Sequence, residues 1–380
     1  MAEQWQLPPI DQVLDEPPPE TGQANLLRQK RLIEATLSEL GFEAKVQQVQ
    51  PGPRFTRFGL SPGAEGQLSK VKNLDKDLAL ALDGATVQID LPTPDFPMLG
   101  VLVLPAHAPE PTVKLRQILE TKLYKQAEGT LKVGLGLNLV GQPVIIDLAE
   151  LPHLLIGGTT GSGKSDCLHN IIANLLCNYA PNQVQLLMID PLAIELRDYS
   201  GLPHLFAPVV TRSAQALDTL NTIDKVIDRR YRAFADNQAR DIAGYNQKLK
   251  QARRPPIPYI IIAIDNVFDL MMTAAREVEQ VITRMAQRAW GAGVHLIFAT
   301  PRADTEALSG TIKANFPARI ALRVIGAAES RLILDAAGAE VLLGQGDLLY
   351  RAPNTTELTR LQGVHISEDE RRRLVQFWRS

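Results

Sequence analysis

The sequence predicts an α/β fold: a parallel sheet with helices on both faces, preceded by a smaller mixed α/β domain. Three observations carry that prediction. From about Pro143 short apolar runs alternate with helical stretches, the pattern of strands joined by helical crossovers. Upstream, helical and strand periodicities occur together without that regular alternation. The chain has 380 residues, 45% hydrophobic and 22% charged, which is long enough for two cores.

Composition removes several classes. The opening stretch MAEQWQLPPIDQV has neither a basic leader nor an apolar core segment, and no window approaches the roughly 18 apolar residues that cross a bilayer. The expectation is a cytoplasmic protein with no membrane segment of its own. Cys167 and Cys177 fall ten apart in one predicted helix and read as buried thiols, and the six histidines show no metal-ligand spacing. A net charge of −2 neither demands nor excludes nucleic acid, because a basic lining can sit inside an acidic surface.

Taken in order, residues 1–24 contain DEPPPETG and few apolar anchors, the composition of a flexible Pro-rich tether. Residues 25–140 form the smaller domain. Leu26, Leu27, Ile33, Leu37 and Leu40 mark one helical face before Gly41, and Leu68, Val71, Leu74, Leu78 and Leu82 mark a second before Gly84. TVQIDL (86–91), LGVLVL (99–104) and LKVGLGLNL (131–139) read as its strands. In residues 141–380 the strands are PVIIDL, HLLIGG, QLLMID, YIIIAID, HLIFAT, ARIALRV and DLLYR. Helices are expected from Lys164, over 214–236 and 275–290, and in the amphipathic tail SEDERRRLVQFWRS.

The chemistry is concentrated in GTTGSGKS, residues 158–165, which follows an apolar strand and opens a helix. Gly158, Gly163, Lys164 and Ser165 match G-x-x-x-x-G-K-[ST], the loop that wraps backbone N–H groups around a β-phosphate. Gly158, Thr159, Thr160, Gly161, Ser162, Gly163, Lys164, Ser165 and Asp166 are therefore the expected ATP-binding residues. Lys164 reaches the terminal phosphates and Ser165 ligates Mg²⁺. Asp265 ends the strand YIIIAID, the usual place for the acid that organises the metal. Asp190 ends another strand in the same way and is either a structural strand-end residue or part of the nucleotide cleft.

The ordered runs PHLLIGGTTGSGKS (152–165), LLMIDPLAIEL (186–196), GLPHLFAPVVT (201–211), IDNVFDLMM (264–272), RMAQRAWGAGVHLIFAT (284–300) and SRLILDAAGAEVLLGQGDLLY (330–350) resemble the FtsK/SpoIIIE DNA translocases. Upstream, PGPRFTRFGLSPG (51–63) and KVKNLDKDLALAL (70–82) resemble that family's α domain, so the likeness covers nearly the whole chain from about residue 20. The resemblance implies a RecA-like P-loop NTPase domain stacked under an α domain in a hexameric ring that binds ATP between subunits and pumps double-stranded DNA. Nothing resembles the family's membrane-spanning N-terminus or its winged-helix sequence reader. Membrane tethering is thus expected to need a partner.

Three positions depart from the family pattern. Its catalytic glutamate is Asn266 here, its Asp-Pro-Lys is Asp190-Pro191-Leu192, and its Thr-Gln-Arg-Pro is Thr300-Pro301-Arg302-Ala303. An amide accepts no proton at neutral pH, and a positioned general base is worth about 10²–10⁴ in rate. The expectation is a subunit that binds ATP and hydrolyses it slowly, unless Asp269 or Glu195 serves as base instead.

Residues 225–254 hold nine Lys or Arg against Asp228, Asp236 and Asp241, a balance of +6 that reads either as a solvated face or as a phosphate-contacting one. By resemblance, Arg302 and Lys313 are the expected DNA contacts, and Arg319 and Arg331 the expected arginines reaching a neighbour's nucleotide, with Arg319 alternatively paired within its own sheet. The implied partners are double-stranded DNA and a homo-hexamer, or a hetero-hexamer with an active paralogue, serving a process such as chromosome segregation. A protein-export ATPase and a non-catalytic ring scaffold stay open; the α-domain likeness favours DNA.

Overall fold

The computed structural model describes residues 5–17, 24–60, 74–92, 96–106, 113–301 and 308–380. Two compact units divide the chain: Met1–Glu16, Lys114–Gly136 and Val144–Ser380 in one, Pro17–Val113 and Leu137–Pro143 in the other.

The smaller unit is an antiparallel sheet of β1 (Val46–Pro51), β2 (Thr56–Leu60), β3 (Thr86–Asp90) and β4 (Leu99–Leu104), in the order β1-β2-β4-β3. The helices Ala24–Glu39 and Asp75–Ala81 pack on it, so Ile33, Leu37 and Leu78 meet Phe58, Leu60, Leu99, Val101 and Val103. The first helix stops where Gly41 enters the left-handed region at φ +82° and Phe42 N–H donates back to Leu37 O at 2.8 Å. The expected start of the second helix lies outside the described residues.

The larger unit holds a nine-stranded sheet. Its strands are β5 (Lys132–Asn138), β6 (Pro143–Asp147), β7 (His153–Gly157), β8 (Val184–Ile189), β9 (Tyr259–Asp265), β10 (Val294–Thr300), β11 (Ala318–Leu322), β12 (Asp347–Arg351) and β13 (Thr359–Gly363). The order is β6-β5-β13-β12-β11-β7-β10-β9-β8. β11, β7, β10, β9 and β8 run parallel, as their unbroken apolar sequences predict. The sheet as a whole is mixed, not parallel, because β12 is antiparallel to both β11 and β13. The short link between β12 and β13 leaves no room for a crossover.

Two expected boundaries move. KVGLGLN forms β5 in the larger sheet, so the larger unit already includes Lys114–Gly136 and only Leu137–Pro143 group with the smaller one. Its glycines are required there: a Cβ on Gly136 would lie 2.1 Å from Gln362 O, and one on Gly134 2.5 Å from Ile118 Cγ2. The expected tether is folded over residues 5–17, with a helical turn Ile10–Val13 and Val13 and Leu14 buried. Asp15 accepts from Lys114 Nζ at 3.0 Å and Arg373 at 2.6 Å, while its N–H donates to buried Glu370 at 3.0 Å.

Chain order places the helices. β8, β9 and β10 advance in one direction across the sheet and β7 to β8 runs in the other, so right-handed crossovers set the helix Lys164–Asn178 opposite Ser213–Asp236 and Val267–Ala289. The last two pack on each other, tied by Arg284 and Arg288 to Asp224. The first packs on the C-terminal helix Glu368–Arg379, where Trp378 Nε1 donates to Leu176 O at 3.0 Å. Among the described residues, no helix is long and apolar enough to cross a membrane.

Candidate functional site

The strand order reverses around β7, and the carboxyl ends of β7, β8, β9 and β10 converge there, the place where open α/β sheets bind ligands. The loop after β7 turns back on itself through Gly161 at φ +78° and Gly163 at φ +101°. A Cβ on Gly163 would also lie 2.5 Å from Gly346 N. The loop is tied down at several points: Thr159 N and Oγ1 both donate to Arg323 O, at 2.9 and 3.0 Å, and Gly346 N donates to Ser162 O at 2.9 Å. The helix Lys164–Asn178 starts immediately after, so its first-turn N–H groups lack carbonyl partners of their own and face outward with the positive end of the helix dipole.

Lys164 Nζ donates to Asp265 Oδ1 at 2.8 Å, and burial raises the Asp265 pKa even against the pull of that ammonium. Ser165 Oγ donates to Glu195 Oε1 at 2.7 Å instead of to Asp265. Glu195 Oε2 lies 3.1 Å from His169 Nε2, whose Nδ1 lies 3.0 Å from Tyr199 OH. The Glu195 pKa falls to about 2, because the His169 and Ser165 hydrogen bonds outweigh burial. Asp190 is a shaping residue: its Oδ2 accepts the N–H groups of Glu195 and Leu196, both at 2.9 Å, and so fixes the loop after β8. Asp166 turns aside to His365 Nδ1 at 2.9 Å.

Asn266 caps the helix Val267–Ala289, accepting from Phe268 N at 3.1 Å and donating to Asp269 Oδ2 at 2.9 Å. That cap starts the helix eight residues before the expected 275 and occupies Asp269.

These residues fit a magnesium nucleotide. The donor set beside the loop is all hard oxygen, from Ser165, Asp265 and Glu195, and the buried Ser162 Oγ has no hydrogen-bond partner. An open cleft of about 1070 Å³ adjoins the loop, lined by Thr160, Ser162, Pro301, Arg323, Ile325 and Gln345. Lys164, Ser165, Asp265 and Glu195 do not line it.

The remaining candidates fare differently. Arg302 lies outside the described residues. Lys313 is paired with Asp335 at 2.8 Å. Arg319 is buried, donating to Phe316 O, Ile333 O, Lys313 O and Asp335, so it is held within its own sheet and is not free to reach a neighbour. Arg331 is exposed on the helix Ala327–Leu334. In the basic run, Arg230 is buried against Ala292 O and Pro258 O, and Lys248 donates to Asn237 O and Gln238 O, so two of its nine cations are structural. The roles of Glu195, His169 and Gly346 at the loop have only a faint sequence signal, in LAIEL and GQGD.

A phosphate-cradling loop at the reversal point of a sheet, flanked by two acids, defines a protein of the P-loop ATPase fold. Within that class, the chain belongs to the FtsK/SpoIIIE family, whose pattern matches residues 114–305, with the FtsK alpha domain pattern matching 7–105. It is 40% identical over 381 residues to the DNA translocase SpoIIIE of Bacillus subtilis, covering 98% of this chain and 48% of that protein. It is 44% identical over 361 residues to a DNA translocase FtsK of Caldanaerobacter subterraneus subsp. tengcongensis, covering 95% and 50%. The chain thus spans about half the length of these relatives. Its fold is similar to the pCW3 conjugation coupling protein TcpA in a monomer form with ATPγS, at TM-score 0.62 and 18% identity over 92% of this chain and 99% of that one. It is also similar to the cytoplasmic domain of the Thermomonospora curvata type VII secretion ATPase EccC, at TM-score 0.57 and 22% identity over 66% and 31%.

Proposed function

We propose that this chain is an FtsK-type ring subunit that binds ATP with Mg²⁺, engages double-stranded DNA in the cytoplasm, and hydrolyses ATP slowly. The observation that carries the reading is the pairing of an intact phosphate loop with a strand-end amide. Lys164 and Ser165 stand beside Asp265 and Glu195, while Asn266 spends its side chain on a helix cap. The bound metal would screen the phosphates. Lys164 binds and orients the terminal phosphates, Ser165 and Asp265 hold the cation's shell, and no free carboxylate stands at position 266 to take a proton.

DNA as substrate rests on the relatives named DNA translocases at 40–44% identity. Arg302 is the proposed DNA contact. Lys313 joins it only if its pair with Asp335 opens. Arg331 is the remaining candidate for a neighbour's phosphate. The ring consists of six copies of this chain, or of this chain with an active paralogue.

Lys164→Ala should abolish nucleotide binding measured by calorimetry in Mg²⁺. Retained binding removes the site. Retention on duplex DNA should require ATP and fall by about 10³ or more between 50 and 200 mM salt, and indifference to both would favour an export ATPase or a scaffold.

A further inference from the structure

We propose that Glu195 is a positioning residue for the magnesium nucleotide: it accepts the hydrogen bond of the Ser165 hydroxyl and so leaves the lone pairs of Ser165 Oγ for the cation. The inference rests on the nucleotide reading above and assigns part of its machinery to a residue outside the phosphate loop and the strand-end acid.

A serine hydroxyl has one proton and two lone pairs. It ligates a cation through oxygen only when the proton is directed elsewhere, so something beside the loop must accept it. Asp265 is the expected acceptor, but its Oδ1 is bonded to Lys164 Nζ at 2.8 Å. The acceptor for Ser165 Oγ is Glu195 Oε1, at 2.7 Å. The two acids therefore divide the loop between them, Asp265 with the lysine and Glu195 with the serine.

Glu195 is built into place from two directions. Its own N–H and that of Leu196 are both held by Asp190 Oδ2, which is 1% exposed. Its second oxygen is held by His169, 2% exposed, which is backed in turn by Tyr199, 1% exposed. The same loop leaves Leu192 and Ile194 largely in solvent, at 57% and 70% exposure, while Glu195 between Ile194 and Leu196 turns inward. A carboxylate fixed through packed neighbours loses little freedom when it is used, which distinguishes it from a surface acid near the loop by chance. Its two oxygens face donors at Ser165 and His169, the arrangement of a carboxylate that orients a hydroxyl.

The test is the affinity of the full chain for a fluorescent N-methylanthraniloyl ATP, measured in excess Mg²⁺ and again in EDTA. Glu195→Ala should lose about tenfold in the Mg²⁺ arm, the size of one charge-assisted hydrogen bond, and change less than about twofold in EDTA. Glu195→Gln should keep the Mg²⁺ enhancement, since its amide oxygen accepts the same proton. Glu195→Asp keeps the charge but is one methylene short, so it should behave like the alanine variant, and it serves in its place if that variant fails to fold. Full enhancement in Glu195→Ala or Glu195→Asp, equal losses in both arms, or a Glu195→Gln that falls with the others would each overturn the assignment. A wild-type chain that binds nucleotide in neither arm overturns the nucleotide reading itself.

Discussion

Asn266 serves the fold and the site in conflicting ways. Its side chain starts the helix Val267–Ala289, accepting from Phe268 N at 3.1 Å, and an N-cap asparagine is among the best available, worth about 1 kcal/mol over alanine. A glutamate there is a better proton acceptor and a poorer cap. Asn266→Glu is therefore expected to raise the DNA-saturated ATPase rate by about tenfold or more while lowering stability by about 1 kcal/mol. Parallel measurements of turnover and urea midpoint test the trade, and an unchanged rate would show that hydrolysis does not wait on that position. The same residue marks a limit of sequence reading. Asn266 is visible as a departure from a pattern, but its capping bond depends on where the helix begins. Glu195 is visible in LAIEL, yet its role depends on His169, 26 residues away in the chain.

Elements built from contiguous apolar runs were legible. β7, β9 and β10 are buried over their whole length and β8 everywhere but Gln185, so their composition announces them. β13, TRLQG, carries one aliphatic residue and is a strand because β12 pairs with it, which no local pattern contains. Arg319 on β11 illustrates the same limit for a charge. Its sequence shows a cation, whereas its fate is set by the carbonyls of Phe316, Ile333 and Lys313 and by Asp335. Asp335 gathers Lys313, Arg319 and Arg351, and although burial pushes its carboxyl up, the hydrogen bonds from those three hold it well below the usual range. A depressed carboxylate pKa contributes stability above the ordinary value near 3.8 that is lost as pH falls below it. Asp335→Asn, which keeps tolerance of the left-handed φ of +59°, should cost about 1–2 kcal/mol at pH 7 and flatten the acid limb of a stability profile. An unaltered acid limb would show that the cluster is not coupled to folding.

At the scale of the whole molecule, the boundary between units was the least legible feature, because β5 is tied into the larger sheet through β13, which lies near the far end of the chain. The first residues follow the same rule: Asp15 meets Glu370 and Arg373 across more than 350 positions. Removing residues 1–16 should take the Asp15 N–H from the buried Glu370 and the Asp15 carboxylate from Lys114 and Arg373, lowering stability by about 2 kcal/mol while nucleotide affinity is retained. Thermal melts of the shortened chain with and without ATP check both halves of that expectation. Thr159 hangs both of its donors on the single carbonyl of Arg323, and the helix bearing Arg331 begins four residues later. A displacement of that helix would therefore pass through one carbonyl to the loop proposed to hold the nucleotide.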